Sequence, residues 1–158
     1  VATLFMNKNS FFDKKFFSLL GVTAILGISI LLFGPAETLD KKLYYTGTEA
    51  RALLDLLGSE QRSIYQLTEI LDLCFTFSYS VFYFQCFTKL FGANSLIRFS
   101  GLITGILDLF ETGTILFILR SESNYQILDW LGSVTLMKWI STLMIVAVFI
   151  LGFSKKEN

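Results

Sequence analysis

Five ionisable side chains stand inside long apolar stretches of this sequence: Glu69 and Asp72, Asp108 and Glu111, and Lys138. A charge near the centre of an apolar, membrane-length helix costs about 2.5–3.5 kcal/mol on the insertion scale, so each needs a reason to be there. Both acidic pairs are spaced i, i+3 and therefore project from one helical face. Counted inward from the outer ends of their predicted helices, Asp72, Glu111 and Lys138 fall at a common depth of ~10–12 Å. Glu69 lies one turn nearer the outer water and Asp108 one turn nearer the midplane. Thr68 and Thr76 flank the first pair, Thr104, Thr112 and Thr114 surround the second, and Ser133, Thr135 and Ser141 accompany Lys138. The economical arrangement is a polar seam turned toward the interior of a helix bundle, with Phe and Leu turned toward lipid.

Four carboxylates against one lysine leave a formal balance of −3. A dry interior does not hold that many like charges, so one or more acids is expected to be protonated, or a water-filled crevice or an external cation compensates. Arg62 and Arg120, at the outer helix ends, can also snorkel inward. Three readings follow. The cluster is a structural Lys138–Glu111 or Lys138–Asp72 ion pair that fixes helix register, the other acids being hydrogen-bonded to Ser and Thr. It is a site of proton or cation coupling, or a polar pocket open to the outside. Or it recognises a cation in the membrane segment of a partner. Carboxylates alone favour Ca²⁺, Mg²⁺ or Mn²⁺ over zinc, but no metal site is assigned. The chain contains no His, which removes haem ligation by that residue and the commonest acid–base group. Nothing has nucleophile-plus-base spacing, so no catalytic residue and no cofactor is assigned, and an enzyme is the least favoured class.

The elements that must position these residues are membrane-length helices. The chain has 158 residues, 53% hydrophobic and 16% charged, against the quarter or so of charged residues usual in a soluble domain. The apolar excess falls in four blocks, about 16–33, 64–91, 96–119 and 131–153, each near the ~20 residues that cross a ~30 Å hydrocarbon core. An all-α, single-domain, integral membrane four-helix bundle is the expected fold. Gly101, Gly105 and Gly113 would let the third span pack closely on its neighbours. The first block, with Lys14 and Lys15 at its flank, is longer than a usual signal core and lacks a clean cleavage site, so it reads as a retained signal anchor. Beginning at Val1 rather than Met, the sequence leaves open a leader removed before that residue. Cys74 and Cys86 lie twelve residues apart in one predicted helix, roughly 18 Å at the helical rise, and cannot bond to each other.

Lys and Arg in the connections set the expected orientation. One side carries Lys8, Lys14, Lys15, Lys89, Arg98, Lys155 and Lys156 against only Asp13 and Glu157. The other carries Lys41, Lys42, Arg51, Arg62 and Arg120 against Glu37, Asp40, Glu49, Asp55, Glu60, Glu122 and Asp129. Both termini are therefore expected on the cytoplasmic side of a plasma or inner membrane, or its organellar equivalent. A net charge of zero and the absence of a basic tract remove the electrostatic footprint of a nucleic-acid binder.

The first outer loop carries its own helix. Thr46 and Glu49 have capping-box spacing, and Ala50, Leu53, Leu54 and Leu57 follow i, i+3, i+4, i+7 before Gly58. An amphipathic helix of about residues 46–57 is expected to lie over the bundle mouth, or to present Tyr44, Tyr45, Leu53, Leu54 and Leu57 as a docking face. Ser59 is expected to cap the next helix, which runs straight into the second span. Trp130 and Trp139, with Tyr125 just outside, read as interfacial anchors.

The run Tyr44-Tyr45-Thr46, Glu49-Ala50, Leu53-Leu54-Asp55, Leu57-Gly58, Arg62, Tyr65 resembles the first loop of a group of small, uncharacterised four-span integral membrane proteins. So do Leu71-Asp72 with Phe75 and Tyr79, Asp108-Leu109-Phe110-Glu111, and Thr135-Leu136-Met137-Lys138-Trp139. The likeness covers most of the chain from Tyr44 onward. It implies the four-span fold and singles out Asp72, Asp108, Glu111 and Lys138, and it carries no activity.

Two functional classes are left. In the first, the protein is a binding or accessory component of a larger membrane assembly, meeting lipid together with other membrane subunits or copies of itself. In the second, it is an ion- or solute-handling protein whose carboxylate and lysine cluster lines a polar pocket. The first is favoured slightly, because one four-helix bundle rarely encloses a permeation path.

Overall fold

The computed structural model of the chain describes residues 13–121 and 125–157. Lys8 and Glu122, and the side chains of Tyr125, Lys155, Lys156 and Glu157, entered the charge and anchor arguments but lie outside what is described. The helices are α1 (Lys14–Phe33), α2 (Gly47–Leu56), α3 (Ser59–Phe91), α4 (Ser100–Ser121) and α5 (Leu128–Glu157). Short 3₁₀ turns at Leu96–Phe99 and Tyr125–Ile127 lead into α4 and α5. No strand occurs among the described residues. Four segments are long and apolar enough to cross a membrane: Lys14–Phe33, Ser59–Phe91, Leu96–Ser121 and Leu128–Gly152. The chain is an all-α helical bundle.

Local chemistry sets the helix ends. Asp13 caps α1 by accepting from the Phe16 N–H at 2.8 Å, and the helix stops before Gly34-Pro35. Thr46 and Glu49 form the full reciprocal capping box of α2. At α3 the sequence expectation is corrected: Gly58 is the cap residue, it offers no side-chain hydrogen bond, and Ser59 is already helical. One glycine thus ends the break after α2 and opens α3, leaving no residue between for a serine cap.

The central element is α3, which packs on α4 and on α1, while α4 packs on α5. Close approach of α3 and α4 depends on Gly105, where an added Cβ would fall 1.9 Å from Ser80 Oγ. Gly113, expected to serve the same purpose, meets nothing within 4 Å. The tie between α1 and α3 includes a hydrogen bond between the Thr23 and Ser78 hydroxyls, 2.6 Å long. At one end of the bundle Phe16 of α1 packs with Phe82, Cys86 and Leu90 of α3 and Phe149 of α5. The start of α1 and the later part of α5 therefore share an end.

The opposite end holds the larger core, built from Leu39, Tyr45, Ala50, Leu54, Tyr65, Ile115, Ile118, Leu128 and Leu131 among others. This corrects the docking face. Tyr45, 1% exposed, and Leu54 are buried, and Leu53 and Leu57 pack partly buried against the same core. Only Tyr44 of the five is exposed. The amphipathic stripe of α2 is spent on the bundle itself, because a loop that folds back needs an apolar face to hold it there. Arg51 pairs with Asp129 at 2.8 Å, and Arg62 donates to the Leu54 carbonyl at 3.3 Å. The Trp139 Nε1–H donates to the Lys42 carbonyl at 2.9 Å, tying α5 to the first loop. Trp130 remains partly exposed and packs on Phe110.

Candidate functional site

All five singled-out ionisable residues are buried. On α3 and α4 the pattern Asp-x-x-x-Thr occurs twice, as Asp72…Thr76 and Asp108…Thr112. Because the two helices run antiparallel, each threonine meets the other helix's acid. Thr112 donates to Asp72 Oδ2 at 2.8 Å, and Thr76 donates to Asp108 Oδ2 at 2.7 Å. Tyr79, one turn beyond Thr76, also donates to Asp108 Oδ2, at 2.8 Å.

Lys138 joins α5 to this pair. Its Nζ lies 2.5 Å from Glu111 Oε2 and 3.1 Å from Asp108 Oδ1. Thr135, one turn before Lys138, donates to Glu111 Oε1. Asp108 thus receives a lysine and two hydroxyls, an arrangement suited to an acceptor-only carboxylate. The lysine pairs with Glu111 and Asp108, and no ion pair joins it to Asp72. Glu69, 1% exposed, sits one turn from Asp72, and its Oε2 has no hydrogen-bond partner. Nearby in the large core, burial pushes the Tyr45 hydroxyl above its ordinary range. At the far end, the Phe16 N–H and then Lys89, 3.1 Å away, hold Asp13 below the usual carboxylate range.

Beside the cluster lies a cleft of about 430 Å³. Its walls come from α1 (Gly27, Ile30, Leu31), from the first loop (Asp40, Lys41), and from α5 (Lys138, Trp139, Thr142). Its floor is one stripe of α3, Asp72, Phe75, Tyr79 and Tyr83, with Thr104 and Asp108 of α4. Consecutive rings of the stripe touch, with centroids 5.3 Å apart for Phe75–Tyr79 and 5.6 Å for Tyr79–Tyr83. The cleft lies where α1, which rests mainly on α3, stands opposite α5. Gly27 lets α1 lie against the Phe75 ring, since a Cβ there would fall 3.2 Å from its Cε2. Leu31 of α1, 74% exposed, and the exposed Lys41 of the first loop both border the cleft, so it is open to the surface.

Of the predicted residues, Asp72, Asp108 and Lys138 face the cleft, while Glu111 stands behind Lys138 and Glu69 is enclosed. Sequence reasoning missed Tyr83, Gly27, Asp40 and Thr142 as parts of one site. A signal existed for Tyr83, because Asp72, Phe75, Tyr79 and Tyr83 follow i, i+3, i+7, i+11 on a single helical face. None existed for Asp40 or Thr142, which only the tertiary fold brings near. Compared with known proteins, the chain matches no family model, no curated protein and no solved structure.

Proposed function

We propose that this protein is a membrane-embedded binding protein that handles a small solute in the cleft between α1 and α5. One observation carries the reading: the buried acid and lysine residues of the cluster do not all face one another, and Asp72, Asp108 and Lys138 line an accessible space of about 430 Å³. That size suits a small-molecule site, and a mostly apolar lining with a few polar groups at one point is the usual composition of such sites. A purely structural ion pair needs no such space beside it. The test compares the melting midpoint of the purified protein in lipid nanodiscs across a panel of charged and neutral solutes, in wild type and in Thr142→Trp, whose indole is introduced to obstruct the cleft. Solutes that raise the wild-type midpoint and leave Thr142→Trp unmoved support the reading. A panel that never separates the two proteins overturns it.

A second reading is membership of a larger membrane assembly, through other subunits or copies of this chain. Its support is a rim of exposed apolar side chains at the outer end, Leu43, Tyr44 and Leu56. Purification at native abundance tests it: a fixed set of co-purifying subunits supports it, and a stable free monomer counts against it.

A further inference from the structure

We infer that the occupant of the cleft is an organic ammonium ion carrying an apolar group, held by Asp72 and the aromatic stripe Phe75–Tyr79–Tyr83; this rests on the solute-binding reading above.

Charge is the first argument. Lys138 is shared between Glu111 and Asp108, so its ion pairs are spent on α4 and none reaches Asp72. Asp72, 9% exposed and facing the cleft, receives a hydrogen bond from the neutral Thr112 and makes no ion pair. The other lysine on the cleft wall, Lys41, donates its Nζ to the Pro35 carbonyl at 2.5 Å. Three acids, Asp40, Asp72 and Asp108, thus line the cleft against two lysines, and Asp72 is a buried one with no ion pair, in surroundings where an unpaired charge is costly. A positively charged guest supplies what the protein lacks, and an anion would meet Asp72 and Asp108 together.

The walls supply the second argument. Aromatic faces attract cations through the ring quadrupole, and more strongly when water is excluded. Three rings in series leave Asp72 along α3, and Trp139 lines the cleft from α5. A bare metal ion needs a shell of oxygen ligands, whereas most of this lining is carbon. Among the described residues no group of three or more His, Cys, Asp or Glu could hold a metal ion. An alkylated ammonium needs one carboxylate, π-faces and an apolar exit for its substituent, and Ile30 and Leu31 form that exit.

The experiment measures binding of benzyltrimethylammonium and of neopentylbenzene, its uncharged carbon isostere, to the full chain in nanodiscs. Wild type, Asp72→Asn, Tyr83→Leu and Thr142→Trp are compared. The ammonium is expected to bind wild type at least roughly tenfold more tightly than the isostere, since that preference corresponds to only about 1.4 kcal/mol. Asp72→Asn, which keeps an acceptor for Thr112, is expected to erase the preference while leaving isostere binding unchanged. Tyr83→Leu is expected to weaken the ammonium more than the isostere. Retained isostere binding by the variants shows that they fold. Repeating the series in phosphatidylcholine and phosphatidylglycerol nanodiscs separates two sources of the same chemistry. Competition by phosphatidylcholine identifies a lipid headgroup as the occupant, equal affinity in both identifies a free amine, and either result supports the inference. Equal binding of the two probes, with Asp72→Asn without effect, overturns the cation assignment and leaves the cleft reading standing. Failure of both probes to bind wild type above Thr142→Trp overturns both readings.

Discussion

Asp72 and Asp108 are each hydrogen-bonded by a threonine from the other's helix, Thr112 for the first and Thr76 for the second. The antiparallel pairing of two Asp-x-x-x-Thr segments makes this exchange reciprocal, so the contact fixes both register and direction. Hydrogen bonds to charged groups contribute about 1.5–3 kcal/mol. Thr76→Val and Thr112→Val are each expected to destabilise the bundle by about that amount, measured as unfolding in detergent with increasing dodecyl sulfate. The double variant is expected to lose less than the sum, because breaking one half of the exchange loosens the other. Strict additivity would show that the two bonds act independently.

Lys138 serves two carboxylates on α4, so its loss strands both. Removing one partner of a buried pair costs about 3–5 kcal/mol, and Lys138→Met is expected to fall in that range by the same unfolding assay. Adding Glu111→Met to that variant removes one stranded acid and is expected to recover part of the loss. No recovery would mean that packing of the lysine stem, rather than charge, is what the first change removed.

Glu69 gives the opposite sign. It is 1% exposed and its Oε2 is unpartnered, and leaving such a group unmade costs about 1–3 kcal/mol. Glu69→Met is therefore expected to raise the unfolding midpoint. A lower midpoint would show that Glu69 is engaged by a bound molecule or water in the native protein.

Gly132 is where the first loop touches α5. A Cβ there would lie 1.8 Å from the Tyr45 carbonyl oxygen and 2.9 Å from its carbon, and backbone cannot swing aside as a side chain can. Gly132→Ala is expected to cost about 1–3 kcal/mol by overpacking and to speed hydrogen exchange in α2. Gly113→Ala, with nothing within 4 Å, is the matched control and is expected to gain up to about 1 kcal/mol from helix propensity alone.

The α2 cap predicts a pH response. The Thr46 backbone and side chain hold Glu49 below its ordinary value of 4.5. A depressed carboxyl stabilises the folded form above its unfolded pKa and loses that contribution as pH falls through the folded value. Exchange protection of α2 is thus expected to be constant above about pH 5 and to decline below pH 4. Glu49→Gln is expected to flatten that profile, and an unchanged decline would assign it to another acid.

How much of this could be read in advance differs from residue to residue. The four long helices were legible because ~20 apolar residues in a row have few alternatives. The α2 cap was legible because Thr46 and Glu49 interact locally. Helical spacing could group Asp72 with Phe75 on one face, but not say which helix that face would meet. The fate of Tyr45, Leu54 and Trp139 depended on a loop folding back over the bundle, a choice made by long-range packing. The cleft was the least legible feature, because it arises from two helices, α1 and α5, that leave a gap between them.

That gap gives the cluster a border of two kinds. Leu31 of α1 and Lys41 of the first loop both line the cleft and both are exposed, so its edge is greasy where the helix stands and polar where the loop does. A guest with a charged head and an apolar tail would match both stretches of that edge at once. One that is polar throughout or apolar throughout would leave one stretch unmatched.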